Sequence, residues 1–208
     1  LVNEAVCVAD LFLAPDQVVL EIRNVEDPDA QRRIRTRRPA ASQAPLVTLV
    51  NVSTGSASEV LAGALQDHAR TFVVGERTFG KGTVQSTRPW QGMPSVIEYF
   101  TAARYYRPSG AGVQRVGIEP DRQVHDHPGS VAPDRILLRE ADLFPTALPR
   151  EPQRWHAPDP ERSAQLEACS RQEGLAQYRW HRQRQSGGAS DYPLSVAQDV
   201  LVCILTRR

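Results

Sequence analysis

Ser56, in the stretch "STGSASE", and Lys81, in "TFGKGTVQ", are the residues whose types and spacing point to covalent chemistry. Lys81 is the only lysine in a chain whose Lys plus Arg count is 25. A guanidinium stays protonated in proteins and cannot serve as a base, whereas a lysine amine can once it is neutral, and burial lowers a lysine pKa by up to about 3–5 units. A serine hydroxyl needs such a base to become a nucleophile. Phe79, Gly80 and Gly82 give the lysine an apolar, glycine-lined setting with no carboxylate among them to hold an ammonium. In so arginine-rich a chain, a cation kept for surface charge alone would be an arginine. The pair therefore reads as serine nucleophile and lysine base, the chemistry of acyl transfer.

Ser56 also opens a predicted helix, so the amide of Ala57 and the positive end of the helix dipole face the place where an acyl oxyanion would form. The same residues, "SASE", are a capping box in which Glu59 reaches back to the helix start, a purely structural reading of the serine. The lysine on the matching loop favours the nucleophile. A rival occupies the second loop: "GERTFGK", residues 75–81, fits the phosphate-binding pattern G-x-x-x-x-G-K. It departs from that pattern at Gly82, where Ser or Thr should bind magnesium, and in the strand-like "TVQSTRPW" where a helix should follow. "HDH", residues 125–127, offers two metal ligands without nearby partners and reads as an exposed turn beside Pro128. Asp67 and His68 read as helix-surface residues, and no Ser-His-Asp triad is visible.

The elements that must position the pair follow from periodicity. "NEAVCVADLFL" predicts a helix ending before Pro15, and "QVVLEIR" and "QRRIRTR" predict a hairpin around "NVEDPDA". "LVTLV" (46–50) predicts a buried strand, residues 56–70 an amphipathic helix, and "TFVV" (71–74) a second buried strand. Strand, helix and strand in so few residues read as a parallel βαβ unit, whose two loops, "NVSTGS" and "GERTFGKG", emerge at the same carboxyl edge. Further strands are predicted at "TVQSTRP", "SVIEYFTAARYY" and "GVQRVGIEP". The fold class is therefore mixed α/β, with a catalytic core over residues 1–127. Residues 128–208 are predicted as a Pro/Arg-rich appendage with short helices such as "PDRILLREADLF", ending in a packed helix over "SVAQDVLVCILTRR".

Composition limits the alternatives. A chain of 208 residues with 40% hydrophobic residues can bury one sizeable core. A net charge of +1 argues against nucleic acid as partner, and "RRIRTRR" reads as a solvated strand and loop. Cys7, Cys169 and Cys203 are odd in number and scattered, fitting neither a disulfide framework nor a zinc site. No apolar run is long enough for a transmembrane helix, no signal peptide is visible, and the opening at Leu1 reads as a piece of a longer polypeptide or a mature product.

Taken together, "PLVTLVNVSTGSASEVLAGALQDHARTFVVGERTFGKGTVQ" and "FTAARYYRPSGAGVQRVGIEPD" resemble the catalytic core of the carboxyl-terminal processing, or tail-specific, proteases. The resemblance implies Ser56 as nucleophile, Lys81 as general base, Gln85 as the residue that positions the lysine, and the Ala57 amide as an oxyanion donor. Strand alternation turns Lys81, Thr83 and Gln85 to one face, which suits that third role. It further implies a crotonase and caseinolytic-protease-like core, and hydrolysis of protein or peptide substrates near their carboxyl termini through an acyl-enzyme, without metal or cofactor. An exported location in the bacterial cell envelope or periplasm is the matching expectation. Thr54 and Gly55 depart from the family's Ser-Ala repeats. The family's Gly-Gly turn, the strand before it and its PDZ domain have no counterpart here, so the chain reads as a truncated catalytic domain. Losing the oxyanion donor expected from that turn costs about a hundred- to a thousand-fold in rate. The alternative is a catalytically silent relative that keeps a peptide-binding fold, with nucleotide binding as a third reading.

Overall fold

The computed structural model describes residues 1–27, 29–125, 138–143, 164, 168 and 191–206. Its elements are helix α1 (Val2–Ala9), strands β1 (Val18–Asn24), β2 (Gln31–Arg35) and β3 (Val47–Val50), helix α2 (Ala57–Asp67), strands β4 (Phe72–Gly75), β5 (Thr83–Trp90), β6 (Met93–Tyr106) and β7 (Arg122–Gln123), and helices α3 (Glu140–Leu143) and α4 (Tyr192–Thr206). They form a four-stranded sheet in the order β2-β1-β6-β5 and a three-stranded sheet in the order β3-β4-β7. The first is antiparallel throughout and the second parallel, so the fold is mixed α/β.

Side-chain alternation explains how the layers close. On β4, Phe72 and Val74 point into a cluster with Val124 and with Val196 and Val200 of α4, while Val73 points the other way, onto Val50 and Ala62 of α2. The parallel sheet is thus covered by α2 on one face and α4 on the other, the burial that parallel strands require. On the antiparallel sheet, Val19, Leu20 and Tyr105 meet Ala5 and Ala9 of α1 and Val60, Ala64 and Leu65 of α2. α2 therefore touches both sheets, and its amino terminus is held from two sides.

The predicted βαβ unit is present: β3 and β4 pair in parallel from Val47 with Phe72 to Val50 with Gly75. The predicted hairpin is β1–β2, and the last helix is α4. Some expectations differ from what is found. β3 is an edge strand, so Leu49 is 42% exposed where "LVTLV" predicts a buried run. "GVQRVGIEP" is a turn, because Arg115 (φ 63°) and Gly117 (φ 75°) leave the extended region, and the amides of Val116 and Gly117 both donate to the Val113 carbonyl, at 3.0 and 2.9 Å. Of "PDRILLREADLF", only the last part is described and it holds the single turn α3; the rest lies outside the described residues. Cys203 is disulfide-bonded, a pairing that spacing alone could not reveal.

Gly75 ends β4 at φ 131°, and a Cβ there would collide with the Val50 carbonyl oxygen. Gly75→Ala therefore meets both a disfavoured backbone conformation and a backbone clash at the edge from which both loops emerge. It should destabilise the chain by about 1–3 kcal/mol in chemical denaturation, and a midpoint equal to that of the parent would show that this edge yields freely.

Candidate active site

The loop after β3 and the loop after β4 lie side by side. The Phe79 amide donates to the Thr54 carbonyl at 2.9 Å, and Gly55 faces the Phe79 side chain so closely that a Cβ would sit 3.4 Å from it. This contact brings the Ser56 and Lys81 segments together, as the parallel pairing of β3 and β4 requires.

A single carboxylate ties them. Glu59, in the first turn of α2, is fully buried and accepts four hydrogen bonds. Its Oε2 takes the backbone N–H of Ser56 and that of Lys81, both at 2.9 Å. Its Oε1 takes the Gly80 N–H at 2.7 Å and the Thr78 hydroxyl at 2.5 Å. Burial raises the Glu59 pKa above the ordinary carboxyl value, and the Thr78, Gly80, Lys81 and Ser56 donors oppose that rise. Only the carboxylate form can accept from all four donors at once.

Ser56 has φ 57° and ψ −119°, a conformation that side chains other than glycine rarely adopt and that costs about 1–3 kcal/mol. Both sides of the residue are held: its N–H by Glu59, and its carbonyl by the amides of Glu59 (2.9 Å) and Val60 (3.1 Å) and by the Tyr105 hydroxyl (3.1 Å). Tyr105 is buried, and burial, with Glu59 and Glu140 nearby, raises its pKa far above the ordinary phenol value, so it remains a donor. The capping box read from the sequence is therefore present, with the Glu59 side chain on the Ser56 amide and the Ser56 side chain facing the Glu59 amide, which also donates to the Ser56 carbonyl. The Ser58 amide donates to the Gly55 carbonyl at 3.2 Å, which leaves Ala57 as the unengaged amide beside Ser56 among the described residues.

The five amides from Thr78 to Gly82 each have an acceptor. Thr78 donates to Ile118 (3.2 Å), Phe79 to Thr54, Gly80 and Lys81 to Glu59, and Gly82 to the Gln114 side chain at 2.7 Å. The loop that matches a phosphate-binding pattern thus wraps an internal carboxylate instead, and β5 follows it in place of a helix. No hydrogen bond joins the Ser56 hydroxyl to the Lys81 amine among the described residues; what is fixed is the approach of the two backbones. Gln85 is exposed on β5, and its amide donates to Thr83 and Thr101, each at 3.2 Å. β5 begins at Thr83, so Lys81 lies in the loop before it and the expected alternation of three residues joins only Thr83 and Gln85; the bonds of Gln85 go to threonines.

The remaining sequence candidates are structural. Asp67 is an ion-pair partner of Arg107 and accepts the Ser109 amide at 3.0 Å, fixing the "YRPSG" turn to the end of α2. His68 bonds the Val18 carbonyl at 2.7 Å, so neither residue is on an open helix surface. His125 is paired with Glu76 at 2.9 Å rather than exposed, while His127 lies outside the described residues. Among the described residues no group of three metal-ligand side chains forms. Glu59, Thr78 and Tyr105 are the site residues that sequence reasoning missed. Glu59 had a signal, the capping box, but its three partners beyond α2 come from a loop that only the fold brings to it.

Glu59→Ala leaves four donors without their acceptor and should destabilise the chain by about 3–5 kcal/mol. Glu59→Gln should keep the fold but loosen the two loops, read as faster amide exchange at Lys81. Because the folded pKa of Glu59 is raised, its contribution to stability is present at low pH and is lost as pH rises from the ordinary carboxyl value through the raised one. The unfolding free energy of Glu59→Gln should therefore depend less on pH across that window than that of the parent.

Residues 1–124 match the description "Peptidase family S41". A protein from Bartonella bacilliformis named carboxy-terminal-processing protease is 38% identical over 121 residues, which is 58% of this chain and 27% of that protein. A carboxyl-terminal-processing protease of Synechocystis is 37% identical over 124 residues, 60% of this chain and 28% of that protein. Among solved structures, the photosystem II D1 C-terminal processing protease aligns with a TM-score of 0.53 at 36% identity, covering 60% of this chain and 31% of that one. The chain spans about a quarter to a third of the length of these relatives. With a match across more than half of its residues, the chain belongs to peptidase family S41.

Proposed function

We propose that the chain carries the catalytic part of a serine-type endopeptidase that cleaves protein or peptide substrates near their carboxyl termini. The observation that carries this reading is the shared Glu59 oxygen: it binds the amides of Ser56 and Lys81 together, with Ser56 held in a strained conformation at the start of α2. Strain of this kind persists where a site needs a preset geometry. In the proposed reaction the neutral Lys81 amine takes the Ser56 hydroxyl proton as Oγ attacks the substrate carbonyl carbon. The oxyanion faces the Ala57 amide and the helix amino terminus. As the peptide C–N bond breaks, Lys81 returns the proton to the leaving amine. Water then attacks the acyl-enzyme, Lys81 accepts its proton, and the Ser56 oxygen leaves as the hydroxyl. Gln85, tethered to Thr83 and Thr101, orients the lysine once substrate is in place. No metal or cofactor enters the scheme.

The substrate class follows the names of the relatives, which are called carboxy-terminal-processing proteases. We read the core as crotonase and caseinolytic-protease-like over residues 1–127, with residues 128–208 as an appendage. An exported location is in keeping with the bacterial and chloroplastic relatives. Among the described residues no helix is long and apolar enough to cross a membrane. A second reading, a silent relative that retains a peptide-binding fold, is favoured by one observation: the Ser56 hydroxyl and Lys81 amine are not hydrogen-bonded to each other. Apo geometry of this kind tightens with substrate in many enzymes, so it does not displace the first reading.

The test is cleavage of an unstructured fluorogenic peptide with a free carboxyl terminus, together with labelling by a serine-reactive probe. Ser56→Ala and Lys81→Ala should each lower turnover by at least about a thousand-fold. The rate of the parent should fall as pH is lowered, because an ammonium cannot accept the hydroxyl proton. Turnover or labelling unchanged in both variants would overturn the dyad. A parent chain that neither cleaves nor labels is the outcome expected of the silent relative.

A further inference from the structure

We propose that Gln114 and Glu140 form a brace that positions Lys81 from the side opposite Glu59, and so make the segment at residues 138–143 part of the catalytic machinery. The inference rests on the Ser56/Lys81 reading above. The lysine loop has two walls. One is α2, through Glu59. The other is built from the turn after β6 and from the short segment around α3, which comes from far along the chain.

The contacts of the second wall fall on the residues flanking Lys81. The Gln114 Oε1 accepts the Gly82 amide at 2.7 Å, and the Gln114 Nε2 donates to the Glu140 carboxylate at 3.1 Å. Glu140 is buried, and its own backbone amide donates to the Phe79 carbonyl at 3.1 Å. Arg139 reaches past it to the carbonyls of Thr78 (3.2 Å) and Val116 (2.5 Å). Gly82 approaches the Gln114 backbone so closely that a Cβ would collide with it, so the two segments touch without a side chain between them.

The chemistry of the pair gives the brace its direction. A carboxylate only accepts, so Glu140 must face the NH₂ end of the Gln114 amide. That sets the amide's orientation and turns its oxygen toward the Gly82 N–H. Glu140 thus decides which end of Gln114 the lysine loop meets. Gln114 and Glu140 are positioning residues: they act through the backbone on either side of Lys81 and touch no reacting atom. In a site where a displacement of about 1 Å can cost about a hundred-fold in rate, a support on the backbone of the residue next to the base controls turnover more than binding.

The test compares the parent with Gln114→Met, Glu140→Ala and Glu140→Gln in the full chain. Methionine keeps the bulk of glutamine and removes the acceptor, alanine removes the carboxylate, and glutamine keeps an oxygen that can accept from Gln114. Turnover of the fluorogenic peptide, its pH profile and amide exchange at Gly82 are measured for each. Gln114→Met and Glu140→Ala should lower kcat about ten- to a hundred-fold with KM within about two-fold, shift the acid limb of the profile and speed exchange at Gly82. Glu140→Gln should recover most of the rate. Exchange at Gly82 unchanged in both disruptive variants, or Glu140→Gln as impaired as Glu140→Ala, overturns the brace. If the parent and Ser56→Ala are equally inactive, the proteolytic reading fails, and Gly82 exchange still decides the brace.

Discussion

The structure depends most on one buried carboxylate. Among the described residues Glu59 forms no salt bridge; its carboxylate is met by four donors, and three of the four come from the loop after β4. An unpaired carboxylate at that depth would cost several kcal/mol. The requirement acts in both directions. α2 can bury Glu59 only if the Thr78–Lys81 backbone wraps it, and that loop can turn as it does, with Gly80 at φ 95°, only because its amides find an acceptor in α2. The same oxygen that holds Lys81 holds the Ser56 amide, so the strain at Ser56 is offset where the lysine is placed.

This arrangement explains why the lysine loop resembles a phosphate-binding loop without being one. Both solve the same problem, how to direct several backbone amides at one anion. In a phosphate-binding loop the anion is the ligand, and a following helix adds its dipole. Here the anion belongs to the protein, and β5 follows, carrying Thr83 and Gln85 along the strand. The amides from Thr78 to Gly82 are engaged internally and are not offered to a bound phosphate.

How much of this was legible in the sequence varies with the range of the interaction. The βαβ unit, the β1–β2 hairpin and α4 follow from local periodicity, and the structure contains them. The same patterns misread what neighbours decide. Leu49 looks buried until β3 proves to be an edge strand, "GVQRVGIEP" looks extended until Arg115 and Gly117 turn it, and Asp67 looks exposed until Arg107, forty residues on, covers it. Ser56 and Lys81 stood out for chemical reasons, one as the start of a helix and the other as the sole lysine. Tyr105 and Thr78 did not, because a tyrosine or threonine in a strand or loop carries no mark of its partner.

By itself the sequence singled out two residues and the frame around them: a serine and the sole lysine on two loops that a parallel βαβ unit must bring to one edge. Those facts depend on residue type and on spacings of a few turns or strands, which a chain encodes locally. Only the tertiary structure decided how the loops are joined. The Glu59 carboxylate selects its partners by geometry after burial, and Gln114 and Glu140 reach the same loop from segments that no periodicity connects to it. Hydrogen bonds between distant segments are chosen by where the core places them, and the core is a property of the folded chain.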